Sequence, residues 1–183
     1  MKKLFLLFSI VLLSTFKGLS QTSYGVSAGY HNFILSASVE GLPGSGSEGL
    51  SGFYVGFYVD INVANKLAFQ PEIQFAQSHN QGQATESILF PMLFKYSVLE
   101  RFNVQAGPIF DFVLDDEQDV LNKFGVGLAF GAAFRIVEDL SLTTRYSVGL
   151  NDRFKESVFD GITDFEVSTR FDFFQIGLTY NLN

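Results

Sequence analysis

The sequence contains no cysteine and no tryptophan, and basic residues are scarce. The missing cysteine excludes a disulfide framework, thiolate metal ligation and a thiol nucleophile. Lysine and arginine total 12 against 19 aspartates and glutamates, which gives a formal net charge of −7. Because nucleic-acid binding depends on neutralising phosphates with basic side chains, we expect no nucleic-acid partner.

The sequence also lacks an apolar run long enough to span a bilayer, which takes about 20 residues. The longest run, Leu4–Phe16, follows Lys2 and Lys3 and precedes the small residues Gly18 and Ser20. This arrangement predicts a signal peptide over residues 1–20 and an exported domain over residues 21–183. An uncleaved anchor helix is the alternative. Cleavage would leave 9 basic and 19 acidic residues, a net charge of −10.

What the sequence does contain is strict alternation of large apolar and small or polar residues. Phe53–Ile61 alternates throughout, and Lys66–Phe75 repeats the pattern. A period of two predicts β-strands with one apolar face. The pattern predicts eight strands: Tyr24–Asn32, Gly52–Asn62, Lys66–Gln77, Ser87–Val98, Phe102–Asp115, Lys123–Ile136, Leu140–Asn151 and Val167–Leu182.

The connections between these strands indicate where the apolar faces point. A soluble sandwich turns them inward, whereas a membrane barrel turns them toward lipid. Short connections at 63–64, 99–101 and 137–139 alternate with longer ones at 33–51, 78–86, 116–122 and 152–166. Outer-membrane barrels have short periplasmic turns and long external loops. We therefore predict an all-β fold, an eight-stranded antiparallel up-and-down transmembrane β-barrel in contact with outer-membrane lipid.

The predicted inward faces carry charges that a narrow lumen must neutralise. The sixth strand presents only glycine and alanine there up to Arg135, which makes room for long neighbours. We expect a polar, side-chain-filled interior in which Glu72 and Asp111 face Arg135, Arg145 and Lys95. A structural plug is the first interpretation, and a gate or binding site is the second. The expected lumen ion-pair network comprises Lys66, Glu72, Lys95, Asp111, Arg135 and Arg145.

Two features conflict with uninterrupted strands. Pro71, Pro91 and Pro108 lie inside predicted strands, although proline cannot donate to a ladder. Local bulges are one way to accommodate them. The alternation also slips near Phe173 and Phe174, which indicates a bulge or the start of the part outside the membrane.

The last residues resemble the C-terminal β-signal that the barrel assembly machinery reads, with Gln175, Gly177, Tyr180 and Leu182 at its characteristic positions. The segments Ser87–Tyr96, with its Pro-Met-Leu-Phe-Lys-Tyr run, and Phe102–Pro108, with Ala-Gly-Pro, resemble the PorT-type outer-membrane β-barrel family. That resemblance implies an OmpX- or OmpA-like eight-stranded barrel of Gram-negative bacteria. It also implies the assembly machinery as a partner during biogenesis.

No motif in the sequence carries chemistry. The acidic segment 115–119 lacks the glycine and distal glutamate of an EF-hand loop, and we expect no catalytic, cofactor or metal site. We expect a monomeric envelope structural, adhesion or assembly component that contacts a protein partner through its external loops. One alternative is an enzyme acting on outer-leaflet lipid through His31 with Ser36 or Ser78. The other is a narrow channel for small solutes.

Overall fold

The computed structural model describes residues 22–39, 45–80, 83–114, 122–153 and 167–183. They form eight antiparallel strands, each paired with the next, and β8 pairs with β1 to close a barrel. The predicted eight-stranded antiparallel barrel is confirmed. The strands are β1 (Thr22–Val39), β2 (Ser45–Ala64), β3 (Leu67–Asn80), β4 (Gln83–Leu99), β5 (Phe102–Val113), β6 (Phe124–Arg135), β7 (Leu140–Gly149) and β8 (Val167–Asn181).

The two ends of the barrel differ in their connections. Short connections at residues 65–66, 100–101 and 136–139 lie at one end, called here the turn end, together with Thr22 and Asn183. The opposite end is called the loop end. In outer-membrane barrels the short turns face the periplasm, and we assign the turn end to that side. Among the described residues, no helix is long and apolar enough to cross a bilayer.

The first two predicted loops are wrong, because much of each is strand. β1 and β2 remain paired as far as Ser38 and Ser45, and β3 and β4 as far as Asn80 and Gln83. The alternation of apolar residues fades there, yet backbone pairing does not require it. Outside lipid both faces of a hairpin meet water, so the sequence pattern ends before the strand does.

The register fixes the width of the barrel. Following paired residues once around leads from Thr22 back to β1 at Asn32, ten residues farther along. Eight strands with this stagger tilt by about 40° and leave a lumen that side chains fill. The lumen is therefore the place where buried polar chemistry must be satisfied.

The three prolines interrupt the ladder without changing its register. Between β3 and β4, Pro71 pairs with Met92 and Gln74 with Leu89, while the two positions between them are unpaired. The bulge interpretation is thus wrong at the prolines. Register shifts occur instead near the turn end, at Asn62/Ala64 and Ser97/Leu99.

The apparent slip near Phe173 and Phe174 is not a bulge either. β8 keeps one register with β1 and one with β7 through both residues. The outward face simply changes from apolar to polar beyond Phe174, where Asp172 hydrogen-bonds Ser36 and the Gly149 amide. The interpretation as the start of the part outside the membrane is the one that fits.

An apolar belt surrounds the outer surface. On β5, β6 and β7, most large apolar residues that the alternation places on the outward face are exposed, while Phe110, Val126 and Val148 are half-buried on the same face. Polar outward side chains end the belt toward the loop end, where Gln77 bonds Glu86 and Tyr30 bonds Ser51, each at 2.7 Å. The exposed predicted residues are Val104, Phe112, Phe124, Leu128, Phe130, Phe134, Leu142, Tyr146 and Leu150.

The belt predicts a position-dependent cost for charge. Phe130 is 54% exposed in the middle of β6, so Phe130→Arg places a cation among acyl chains. We expect it to lower the free energy of unfolding by about 2–4 kcal/mol in lipid vesicles, measured by denaturant titration. The control is Val137→Arg in the β6–β7 turn, with a cost of about 0–1 kcal/mol. Equal losses in the two variants would contradict the assigned belt.

Candidate functional site in the barrel lumen

The inward side chains form three layers along the lumen. On β3 the order from turn end to loop end is Gln70, Glu72, Gln74 and Ala76, so polar residues precede small ones. The turn-end layer contains the Lys95–Asp60 ion pair, and the middle layer contains the pair Arg145–Glu72. The loop-end layer is mainly apolar and includes a third ion pair.

The middle layer is a bidentate ion pair held by amides. Arg145 Nη2 donates to Glu72 Oε1 at 2.7 Å, and Nη1 donates to Oε2 at 3.1 Å. Gln70 and Gln74 each donate a further bond to one carboxylate oxygen, at 2.5 Å. Each oxygen thus accepts from two donors. Such satisfaction is what allows an ion pair to remain stable away from water.

The network continues across the lumen through glutamines. Gln175 Nε2 donates to Gln74 Oε1 at 2.9 Å and lies 3.3 Å from His31 Nδ1. Arg145 Nη2 also approaches Gln105 Oε1 at 3.4 Å. The side chains come from four additional strands besides β3, so the network ties opposite walls of the barrel together.

The loop-end layer is capped by Arg153, which is 1% exposed. Its Nη2 donates to Asp111 Oδ2 at 2.7 Å, and its guanidinium lies 4.2 Å from the centre of the Phe171 ring. A Cβ at Gly125 would overlap both the guanidinium and the Asp111 carboxylate. The predicted small face of the sixth strand thus makes room for a long side chain, here an arginine from beyond β7.

Below this cap the lumen is apolar. Phe33 packs against Phe171 at 4.6 Å and Phe173 at 5.7 Å between ring centres. Leu89 and Ile109 are buried in the same cluster. The prediction of a polar interior is therefore wrong for the loop-end layer. Apolar side-chain packing fills this layer beneath the Arg153–Asp111 ion pair.

The structure brings together only part of the predicted ion-pair network. Glu72 does face Arg145, but Lys95 pairs with Asp60 and Asp111 pairs with Arg153. Asp111 therefore faces neither Arg135 nor Arg145, and the predicted pairing was wrong there. Alternation assigns a side chain to the lumen but does not say which strand supplies its partner on the opposite wall.

Two predicted members lie outside the network. Lys66 is an exposed turn residue with φ of 69°, so its assignment to the lumen is wrong. The strand begins only at Leu67. Arg135 is on the inward face but is exposed at the turn end, with no ion pair in the described part of the chain.

Arg153 lies in a segment predicted as a loop, so the strand pattern did not assign it to the lumen. A usable indication existed. Arg153 has the same parity as Arg145 and Ser147, which are buried on the inward face of β7. Extending that parity past the end of the alternation would have placed Arg153 in the lumen.

The proposed β-signal occupies both faces of β8 at the seam. Gln175 and Gly177 are buried inward, whereas Tyr180 and Leu182 are exposed on the outward face. Gly177 is paired with Gly29 of β1, and a Cβ there would overlap the β1 backbone and the Tyr54 hydroxyl. Recognition of these residues by the assembly machinery stays a prediction.

The turn end holds a polar cavity of about 100 Å³. Residues from all eight strands and their turns line it, including Asp60, Lys95, Arg101, Arg135 and Asn181. No group of three or more acidic or histidine side chains within the described ranges is arranged to hold a metal ion.

The family model for the outer membrane protein beta-barrel domain matches residues 16–155. The chain belongs to this family. Its location is accordingly the cell outer membrane, as predicted from the alternation and the loops. No curated protein sequence matches the chain.

Solved structures with similar folds are distant in sequence. Ail, the attachment invasion locus protein of Yersinia pestis, is 12% identical with a TM-score of 0.51; the match covers 87% of this chain and 98% of Ail. Neisserial surface protein A is 13% identical with a TM-score of 0.48, over 88% and 99% of the two chains. OprG of Pseudomonas aeruginosa is 10% identical with a TM-score of 0.46, over 88% and 96%. At such identities the likeness to Ail shows the fold alone.

The ion pairs differ in burial, which predicts different costs of breaking them. The Arg145 and Glu72 side chains are 7% and 1% exposed, against 18% and 19% for Lys95 and Asp60. We expect Arg145→Met to lower the free energy of unfolding by about 3–5 kcal/mol, because it leaves a buried carboxylate unpaired. Lys95→Met should cost less, about 1–2 kcal/mol, because the half-buried Asp60 carboxylate loses its donor but keeps partial access to water. Denaturant titration in vesicles measures both, and similar costs would contradict the layered lumen.

Proposed function

We propose that this protein is a closed, non-enzymatic barrel of the outer membrane that acts through its loop-end surface as an adhesion, structural or assembly component. The observation that carries this proposal is the filled lumen. An ion-pair layer and an apolar layer lie in series, and Leu89 and Leu93 have no exposed surface. A barrel whose lumen is closed by two successive layers is better suited to exposing a contact surface at its loop end than to conducting solutes.

The position of His31 supports a non-enzymatic role. It is 1% exposed, faces the lumen, and stacks on Phe173 at 5.5 Å. Ser36 faces outward and donates to Asp172. Within the described residues no hydroxyl hydrogen-bonds His31, so the pairing that a lipid-modifying enzyme needs has no support here.

The β1–β2 hairpin supports a contact role. Its paired strands continue beyond Asn32 and Ser51, where the apolar belt ends. A paired extension presents its backbone at lower entropic cost than an unpaired loop does. Ail carries attachment in its name, and we extend a contact function to this chain only as a proposal. Monomeric state, a protein partner at the loop end and membership of the PorT-type subfamily belong to the same proposal.

Conductance tests the closed lumen. The purified protein, reconstituted in planar bilayers, is expected to give no discrete current steps, because buried side chains close the lumen at its middle and loop-end layers. A sixteen-stranded porin in the same bilayers serves as the positive control. Reproducible steps from the barrel that change when Glu72 is replaced by Gln would overturn this part of the proposal and favour the narrow channel.

In-cell cross-linking tests the contact surface. A photoreactive residue at His79, which faces outward at the loop end, is expected to give protein adducts on intact cells. The matched control is the same residue at Lys66, an exposed position at the turn end. Adducts at His79 but not Lys66 support an external partner. Adducts at Lys66 alone would place the contact in the periplasm and contradict the proposed surface.

A further inference from the structure

The turn-end cavity has no part in closing the lumen, yet its wall is chemically specific. At about 100 Å³ it holds roughly seven water-sized positions. It opens toward the turns, so a ligand would enter from the periplasmic side. Its lining carries both signs of charge, with Lys95, Arg101 and Arg135 as cations and Asp60, Glu100, Glu138 and Asp139 as anions.

One wall presents two arginines side by side. The Arg135 amide donates to the Arg101 carbonyl at 2.8 Å, which places the two residues opposite each other across the β5–β6 edge. Both side chains line the cavity and are exposed, and neither forms an ion pair within the described part of the chain. Like charges directly opposite each other repel. Two guanidinium forks are also the arrangement that binds a phosphate group through several parallel hydrogen bonds.

The other wall presents acceptors without donors. Asp60 Oδ1 and Asn181 Oδ1 are buried, and no donor within the described residues reaches either atom. The second Asp60 oxygen accepts from Lys95 Nζ. A buried acceptor left unpaired costs about 1–3 kcal/mol. A primary ammonium group supplies three donors and a positive charge, which matches one carboxylate oxygen and one amide oxygen.

The acidic residues of the cavity favour a zwitterionic ligand over an anionic one. Glu100, Glu138 and Asp139 also line the cavity. These carboxylates oppose entry of a purely anionic ligand, and the arginines oppose a purely cationic one. A molecule with both charges satisfies both walls. Because β2 lies opposite β6 in the closed barrel, the ends on Asp60 and Arg135 would be separated by the width of the cavity.

We propose that the turn-end cavity binds a phosphoethanolamine group, with phosphate on Arg101 and Arg135 and ammonium on Asp60 and Asn181. The cavity volume matches a group of this size. Two sources share the chemistry: the head group of an inner-leaflet phospholipid and a soluble phosphoethanolamine of the periplasm. The site is independent of the contact surface at the loop end.

The test uses the folded barrel in an uncharged maltoside detergent, titrated with O-phosphoethanolamine and followed by NMR shifts of the arginine side chains and of the backbone amides around the cavity, which also report binding in variants without the arginines. We expect saturable shifts at Arg101 and Arg135, and at least tenfold weaker binding by R101Q/R135Q. Lys66→Gln removes a positive charge at the same end outside the cavity and should leave binding unchanged. Ethanolamine alone and inorganic phosphate alone should each bind at least tenfold more weakly.

Several outcomes overturn the site. They are the absence of saturable shifts, equal binding by wild type and R101Q/R135Q, or an equal loss in Lys66→Gln, which would indicate unspecific charge attraction. Heat-modifiable gel mobility verifies that each variant is folded. Nanodiscs distinguish the sources. Arginine shifts in phosphatidylethanolamine but not phosphatidylcholine nanodiscs assign the lipid head group, and saturable binding of the soluble compound alone assigns a periplasmic solute.

Discussion

Inside a bilayer no water is available to hydrogen-bond a free backbone amide, and the rest of this structure follows from that constraint. A sheet satisfies its backbone there only by closing on itself, which pairing of β8 with β1 accomplishes. Closure then fixes the strand number and the stagger, and with them the width of the lumen. The prolines show how firmly closure dominates. Pro71, Pro91 and Pro108 remove local ladder pairs, but the register is the same on either side of each gap.

In a lumen of fixed width, each charged side chain needs both space and a partner. Because the wall cannot expand, each long side chain needs a neighbour without one, as Arg153 does above Gly125. Because water is largely excluded, each charge also needs a partner, as Glu72 has in Arg145 and two glutamine amides. The inward residues therefore have to satisfy steric fit and charge balance at the same time. Their cross-lumen bonds in turn join strands that the backbone ladder does not connect directly.

The parts of this structure that were predictable are those that depend on alternation alone. Period two assigned the apolar faces, the strand number and the inward position of Glu72 and Arg145. Alternation does not say how far along the barrel axis a side chain lies, or which side chain it meets across the lumen. Lys66 and Arg135 were consequently placed in a network that each lies outside, and Asp111 was given the wrong partner. Arg153 was missed because the outward apolar pattern stops before the inward parity does. The strand extensions toward Val39 and Ser45 were missed for the same reason, since a hairpin in water has no apolar face to reveal it.

The two ends of the lumen are filled in different ways. The loop-end layer is closed by apolar packing of Phe33, Phe171 and Phe173 and by the buried Arg153 cap, so it behaves like the core of a small soluble domain. Phe33 of β1 belongs to that core and Leu50 of β2 packs against it, so the core anchors the β1–β2 hairpin. Within the described ranges the turn end has no such packing and holds a polar, charged cavity instead. Among the described residues the barrel thus concentrates its apolar packing at the loop end and leaves a polar cavity at the turn end.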